Sequence, residues 1–236
     1  MSQATVWLEF SRVFVGVPRS DWPFRIRWIR IAGASGGESH IGAIVPPAMR
    51  FHPVVRLPEG IEVFDFTRGY DKDRARGLYG IGRYDEKRVG MYGAAIFGGV
   101  RDVHMGIDIG APAGTEVFAF DDGVVHLFGD NTAPGDYGPT LVTRHDLDGR
   151  PLYVLFGHLA RRSLEGKRVG DRFARGDVLG WIGEEHENGG WNPHVHVQLA
   201  WEAPTVPDLP GVVTEADRDR ARELYPDPRL ILGPVY

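Results

Sequence analysis

The chain has 236 residues, 42% of them hydrophobic and 25% charged. This ordinary globular usage excludes a disordered tail, a collagen-like repeat or a coiled coil as the main body. The formal net charge of −5 gives no electrostatic drive toward nucleic acid or anionic lipid, so neither is expected as a partner. The absence of cysteine excludes a disulfide framework, a thiolate nucleophile and a thiolate metal site. A transition metal must then be held by His, Asp or Glu, and 9 histidines supply enough. Met1–Thr5 has no basic region, and Glu9 and Arg12 interrupt the apolar stretch that follows. No apolar run approaches the ~18 residues of a membrane helix. The expected location is cytoplasmic.

The 32 glycines and 17 prolines argue for many short strands and turns over long helices. Thr5–Val17 reads as strand. Phe24, Ile26 and Trp28 alternate with Arg25 and Arg27, the period of a half-buried strand, and the parity slip at Trp28-Ile29 suggests a bulge or strand exit. Gly33–Gly37 reads as a loop, Pro46-Pro47 and Pro53 break the next stretch, and Ile61–Phe66 reads as another short strand. Residues 1–66 are therefore taken as an N-terminal β-rich segment. Residues 67–100 are mixed in charge and Gly-rich, and read as a long connection that can wall a groove.

From 101 to 236 strand signals are dense. Val117–Phe120 and Val124–Leu127 flank Asp121-Asp122-Gly123, a hairpin signal. Leu141–Arg144 and Leu152–Phe156 flank a turn at Asp148-Gly149. Val178–Ile182 and Val195–Leu199 add two more strands. The one helix starts at a Thr214 cap, with Asp217 three residues on, and runs to about Leu224 before Asp227-Pro228 ends it.

Three short pieces can carry chemistry: His104-Met105-Gly106-Ile107-Asp108, Phe156-Gly157-His158-Leu159 and His194-Val195-His196. On a strand, His194 and His196 project side by side while Val195 points to the core. Imidazoles and one carboxylate suit zinc in a site that keeps an open position. Taken singly, each piece is weak, because a surface or satisfied core residue is the commoner reading. His126 is expected in a surface or core role, His145 is expected to be exposed before a turn, and His40, His52 and His186 show no partner pattern. Arg101, three residues before His104, is a candidate contact for a substrate carboxylate.

Together and in order, the pieces resemble the LytM/lysostaphin-type zinc metallopeptidases of peptidase family M23. The likeness runs over about 101–200: His104-x-Gly106-x-Asp108, then Ala111-Pro112-Ala113-Gly114-Thr115, then the Asp-Gly turn, Gly157-His158-Leu159, and Pro193-His194-Val195-His196. It implies a mostly β fold with an antiparallel core of barrel-sandwich-like, duplicated hybrid type. It implies that His104, Asp108 and His196 bind Zn²⁺ as cofactor. It implies that His158 and His194 sit beside a metal-bound water as catalytic residues, with His194 the preferred base. The implied activity is hydrolysis of an amide bond in a peptide or small amide substrate.

The chain departs from the family at Asn188–Pro193, where small residues are usual, and at Val197-Gln198, where Phe-Glu is customary. Gly80–Arg88, Asn188–Gln198 and Tyr225–Pro228 are similar to the M23-like segment of large proteins that join a kinase-like domain to a class III aminotransferase domain. By that analogy a kinase-like or aminotransferase enzyme is a candidate partner, and a cell-wall substrate is in doubt. A non-catalytic scaffold is the competing class, and all five histidine and aspartate positions argue against it. A lipoyl-type carrier needs a lysine at a hairpin tip, which Asp121-Asp122-Gly123 lacks.

Overall fold

A computed structural model describes residues 50–73 and 79–236. The strands read at Thr5–Val17 and Phe24–Trp28, the loop Gly33–Gly37, Pro46-Pro47 and His40 lie outside the described residues. Strands β1 (Glu62–Val63), β2 (Gly80–Gly82), β3 (Glu86–Lys87), β4 (Val103–His104) and β5 (Ile107–Gly110) come first. Then follow β6 (Glu116–Phe118), β7 (Gly123–Asn131), β8 (Gly138–Leu147), β9 (Arg150–Gly157) and β10 (Arg172–Phe173). β11 (Val178–Trp181), β12 (His194–Ala200), β13 (Val212–Val213) and helices α1 (Arg218–Leu224) and α2 (Arg229–Leu232) complete the order.

One eight-stranded sheet, ordered β1-β2-β5-β12-β9-β8-β7-β10, dominates. Its pairs are antiparallel except β1 with β2. Two small sheets, β11-β6 and β13-β4-β3, flank it. The period of two sorts the central strands. Val195, Val197 and Leu199 of β12 join Ile107, Ile109, Val154 and Phe156 in the main core. The opposite face carries Leu155, Val142 and Ala200, packed with Tyr137 and Leu209 in a smaller cluster. Burial of each such side chain contributes about 1.5–3 kcal/mol against chain entropy. The functional histidines of β12 therefore stand on the face away from the main core.

The turn at Asp148-Gly149 is a true hairpin, with φ of 54° and 84° at its two central residues, the geometry of a type I′ turn. The Asp121-Asp122-Gly123 signal is a turn but not a hairpin. β6 pairs with β11, whereas β7 pairs with β8 and β10. Val117, Phe118, Ala119 and Phe120 are all buried, so the chain passes through the core here instead of returning along a half-exposed face. His145 is buried, not exposed. It shares strand parity with Leu141 and Thr143, and its ring lies 4.2 Å from that of Phe120.

The segment boundaries read from the sequence also shift. Phe51, Val54 and Val55 belong to the main core, so residues 51–66 are not a segment of their own. Within Ile61–Phe66 only Glu62–Val63 is strand. Asp65 Oδ1 then accepts from the Thr67 N–H at 3.1 Å and caps a 3₁₀ turn at Phe66–Arg68. The stretch 67–100 supplies β2 to the main sheet and β3 to a small one. At the C-terminal end Thr214 Oγ1 accepts from the Asp217 N–H at 3.2 Å, and a 3₁₀ turn leads into α1. α2 adds a single further turn that places Ile231 in the main core. No helix of the described residues is long and apolar enough to cross a membrane.

Candidate metal centre

Three elements bring His104, Asp108 and His196 together. His104 ends β4, and Met105-Gly106 turns the chain from the small sheet into β5, which carries Asp108. Asp108 stands directly opposite His196 in the β5–β12 register. All three are buried. His104 Nε2 lies 3.0 Å from His196 Nδ1, and both lie close to Asp108 Oδ1, at 3.2 and 3.0 Å.

The outward ring nitrogens fix the tautomers. His104 Nδ1 is 2.9 Å from the Arg83 carbonyl, which can only accept, so the proton is on Nδ1. Gln198 Nε2 donates to the Pro210 carbonyl at 3.2 Å, which turns Gln198 Oε1 toward His196 Nε2 at 3.1 Å. The His196 proton is therefore on Nε2. Two imidazole lone pairs and a carboxylate oxygen then converge with no hydrogen between them. Such a set is repulsive unless a cation sits among its members. Tetrahedral zinc with ligand bonds of about 2.0–2.1 Å needs donor separations of roughly 3.3 Å, so these residues fit the ion. Among the described residues, these three form the group able to hold a metal, with donor atoms within 4.8 Å of one another.

Electrostatics agree. Burial, with Arg88 nearby, pulls His104 down to about 4, so it stays neutral and able to ligate. Burial works against ionisation of Asp108, but the Arg88 guanidinium holds it well below the usual carboxylate range. Arg88 Nη1 donates to Asp108 Oδ2 at 2.7 Å.

His158 and His194 stand beside this trio. Their ring centroids are 4.3 Å apart, and His194 Nε2 is 3.7 Å from Asp108 Oδ1. His194 Nδ1 donates to the Asn192 carbonyl at 2.6 Å, and His158 Nδ1 to the Asn188 carbonyl at 2.7 Å. Both Nε2 atoms are thus unprotonated. Burial lowers both pKa values, that of His158 well below the ordinary 6.5. His158 adopts φ of 60°, a left-handed turn at the end of β9 that costs a non-glycine residue about 1–2 kcal/mol.

The unusual Asn188–Pro193 run has a structural task. Asn188 Oδ1 accepts from the N–H groups of Gly190 and Trp191, and its Nδ2 donates to the Trp191 carbonyl at 2.9 Å. The loop so closed offers carbonyls to both catalytic candidates and turns Trp191 into the site. A cavity of about 380 Å³ opens over the trio, walled by Tyr92, Phe97, Arg101, Tyr137, Trp191 and Asp208 among others. The Arg101 guanidinium lies 5.7 Å from the centre of the Phe97 ring.

The five histidine and aspartate positions singled out in the sequence all meet here. His126 does not join them. Its Nε2 donates to the Pro204 carbonyl at 2.9 Å. Arg83, Arg88, Gln198 and Asn188, which hold His104, Asp108, His196 and His158 in place, were assigned no role from the sequence, Gln198 and Asn188 standing there only as departures from the family pattern. Arg83 and Arg88 act across 20 or more residues of sequence, and the sequence reading named them only within Gly80–Arg88, a stretch quoted for its resemblance.

Residues 102–207 match the model of Peptidase family M23. A 97-residue stretch is 35% identical to the DD-carboxypeptidase/endopeptidase Mpg of Neisseria meningitidis serogroup B, covering 41% of this chain and 20% of that protein. The chain therefore spans about a fifth of the length of this curated relative. Among solved structures, the catalytic domain of the prophage-encoded M23 protein EnpA from Enterococcus faecalis is 27% identical, with a TM-score of 0.40, over 56% of this chain and 85% of that one. The catalytic domain of lysostaphin from Staphylococcus simulans is 21% identical, with a TM-score of 0.41, over 61% and 92%.

Proposed function

We propose, from the match of residues 102–207 to the model of Peptidase family M23, that the chain is a zinc-dependent peptidase that hydrolyses amide bonds. Three unprotonated donor atoms within 3.2 Å of one another, with both outward ring N–H groups already engaged, carry this reading. A zinc ion bound there supplies Lewis-acid polarisation of the scissile carbonyl and lowers the pKa of a water toward 7.

The protein's own groups do the rest. His194 Nε2 accepts the proton of the attacking water, because its Nδ1–H is committed to Asn192. Once protonated, His194 can return that proton to the leaving nitrogen. His158 Nε2 bears no hydrogen while the ring is neutral, since Asn188 holds the ring proton on Nδ1. It acts as a second proton acceptor, and becomes an N–H donor to a developing oxyanion only when protonated. Trp191, Tyr92 and Phe97 give the cavity an aromatic wall. Arg101, which lines the cavity, is the group assigned to a substrate carboxylate.

A small peptide or amide is favoured over a long polymer. The cavity is walled on one side by Tyr92–Arg101 and on another by Val206–Val212, and its volume suits a small ligand. The likeness to segments fused with kinase-like and aminotransferase domains makes such an enzyme the first partner to seek.

The test is hydrolysis of a panel spanning cross-linked peptidoglycan, glycine-rich peptides and small acyl-amino acids. His194→Ala and His158→Ala should each lower kcat by about 10²–10⁴ while zinc is retained. Undiminished turnover in both variants would contradict the assigned roles.

A further inference from the structure

We infer that Arg88 is a positioning residue for the metal centre: its guanidinium occupies one oxygen of Asp108 so that the other alone faces the ion. The inference rests on the metal-binding reading above. The two Asp108 oxygens have separate surroundings. Oδ1 is the atom near His104 Nε2 and His196 Nδ1, at 3.2 and 3.0 Å. Oδ2 accepts from Arg88 Nη1 at 2.7 Å.

Arg88 is itself immobilised. It is 1% exposed. Its Nε donates to Glu86 Oε2 at 3.2 Å, its Nη1 also to the Tyr92 hydroxyl at 3.0 Å, and its Nη2 to the Arg83 carbonyl at 3.4 Å. The guanidinium lies 5.0 Å from the centre of the Phe66 ring. Two carboxylates thus offset the burial of one cation, a balance that leaves Arg88 no freedom to swing away. The Arg83 carbonyl that meets Arg88 is also the acceptor for His104 Nδ1. Segment 83–88 therefore orients two of the three proposed ligands.

The backbone makes room for this pair. A Cβ at Gly82 would stand 2.7 Å from Arg88 Nη2 and 3.1 Å from Asp108 Oδ2. Any larger residue there would push the two groups apart. With Oδ2 engaged, Asp108 offers a single oxygen, which suits the four-coordinate geometry of zinc. A free carboxylate can chelate through both oxygens, as in the larger coordination shells of calcium.

The test uses the full chain and three variants. Arg88→Lys keeps the charge and loses the fork. Arg88→Met with Glu86→Gln removes the cation together with one of its two carboxylate partners. Gly82→Ala keeps every charge and crowds the pair. Zinc affinity is measured by competition with a chelator at fixed pH, and the visible spectrum of the Co²⁺-loaded protein reports coordination number. Each variant should bind zinc about 10–100-fold more weakly, with Arg88→Lys least affected. The intense bands of tetrahedral Co²⁺ in the parent should weaken in the methionine double variant. Circular dichroism checks that the variants fold, and Gly82→Ala keeps the question answerable should the double variant not fold. If the parent binds zinc and the folded variants match it in affinity and spectrum, Arg88 has no positioning role. If the parent itself binds no zinc, the metal-centre reading fails, and this inference with it.

Discussion

Gly106 lies directly beneath the His196 ring. A Cβ at Gly106 would stand 2.5 Å from His196 Nε2 and 2.9 Å from the Val197 carbonyl oxygen. His196 cannot yield, because Gln198 and Tyr137 close in on that same ring edge. Gly106→Ala should therefore lower stability by about 1–3 kcal/mol, the usual cost of overpacking, and weaken metal binding more than tenfold. Gly93, where a Cβ would meet nothing within 4 Å, is the control and should tolerate alanine. Urea unfolding with and without added zinc separates the two effects. Equal behaviour of the two variants would contradict the packing described.

Gln198 lies on β12 two residues after His196. Its amide is read from both ends, by His196 Nε2–H at Oε1 and by the Pro210 carbonyl at Nε2. Gln198→Leu should leave the His196 N–H short of its amide acceptor and the ring free to turn. Zinc affinity should fall about 10–100-fold. Gln198→Glu keeps the acceptor but sets a carboxylate against the Pro210 carbonyl, so it should be destabilised yet retain more affinity than the leucine variant. Isothermal titration with zinc checks the ranking, and a leucine variant that binds as tightly as the parent would contradict it.

His145 sets a pH dependence of stability far from the metal centre. Its Nδ1 donates to the Asp122 carbonyl at 2.9 Å, and Thr143 Oγ1 donates to its Nε2 at 2.8 Å. Burial pulls it down to about 4, with the Asp122 hydrogen bond and the charges of Asp121 and Asp122 opposing. The rings of Phe120 and Phe173 complete its surroundings. The unfolded chain takes up a proton near the ordinary 6.5, while the folded chain resists until about 4. The unfolded state therefore gains as pH falls through that window, by up to roughly 3 kcal/mol, and the full stability is present above 6.5. His145→Gln lacks this titration. Its stability deficit relative to the parent at pH 7.5 should shrink by pH 5, as read from urea midpoints. A deficit that is the same at both values would contradict the linkage.

Local signals in the sequence were good guides where a single strand or cap decides the outcome. Alternation in Val195–Leu199 placed His194 and His196 on one face, and Thr214 marked the cap of the 3₁₀ turn that leads into α1. The Asp148-Gly149 turn closes the hairpin it suggests. Signals failed where a distant partner decides. Asp121-Asp122-Gly123 has hairpin chemistry, but continuous burial of Val117–Phe120 sends β6 to β11 and β7 to β8. His145 precedes a turn, yet strand parity buries it. Phe51, Val54 and Val55 lie in the main core because strands more than 50 residues away complete their packing. The five chemical positions were legible because their motifs are short and ordered. Their supports were not, since a carbonyl such as that of Arg83 leaves no trace in residue type.

In the proposed site His104, Asp108 and His196 hold one zinc ion while His158 and His194 act on the substrate. Elemental mass spectrometry of purified protein tests it most directly, comparing the parent with His104→Ala and His194→Ala. About one zinc per chain is expected in the parent and in His194→Ala, and none in His104→Ala with the fold retained. A parent that holds no zinc even after the metal is added back, or a His104→Ala variant that keeps its full share, would contradict it.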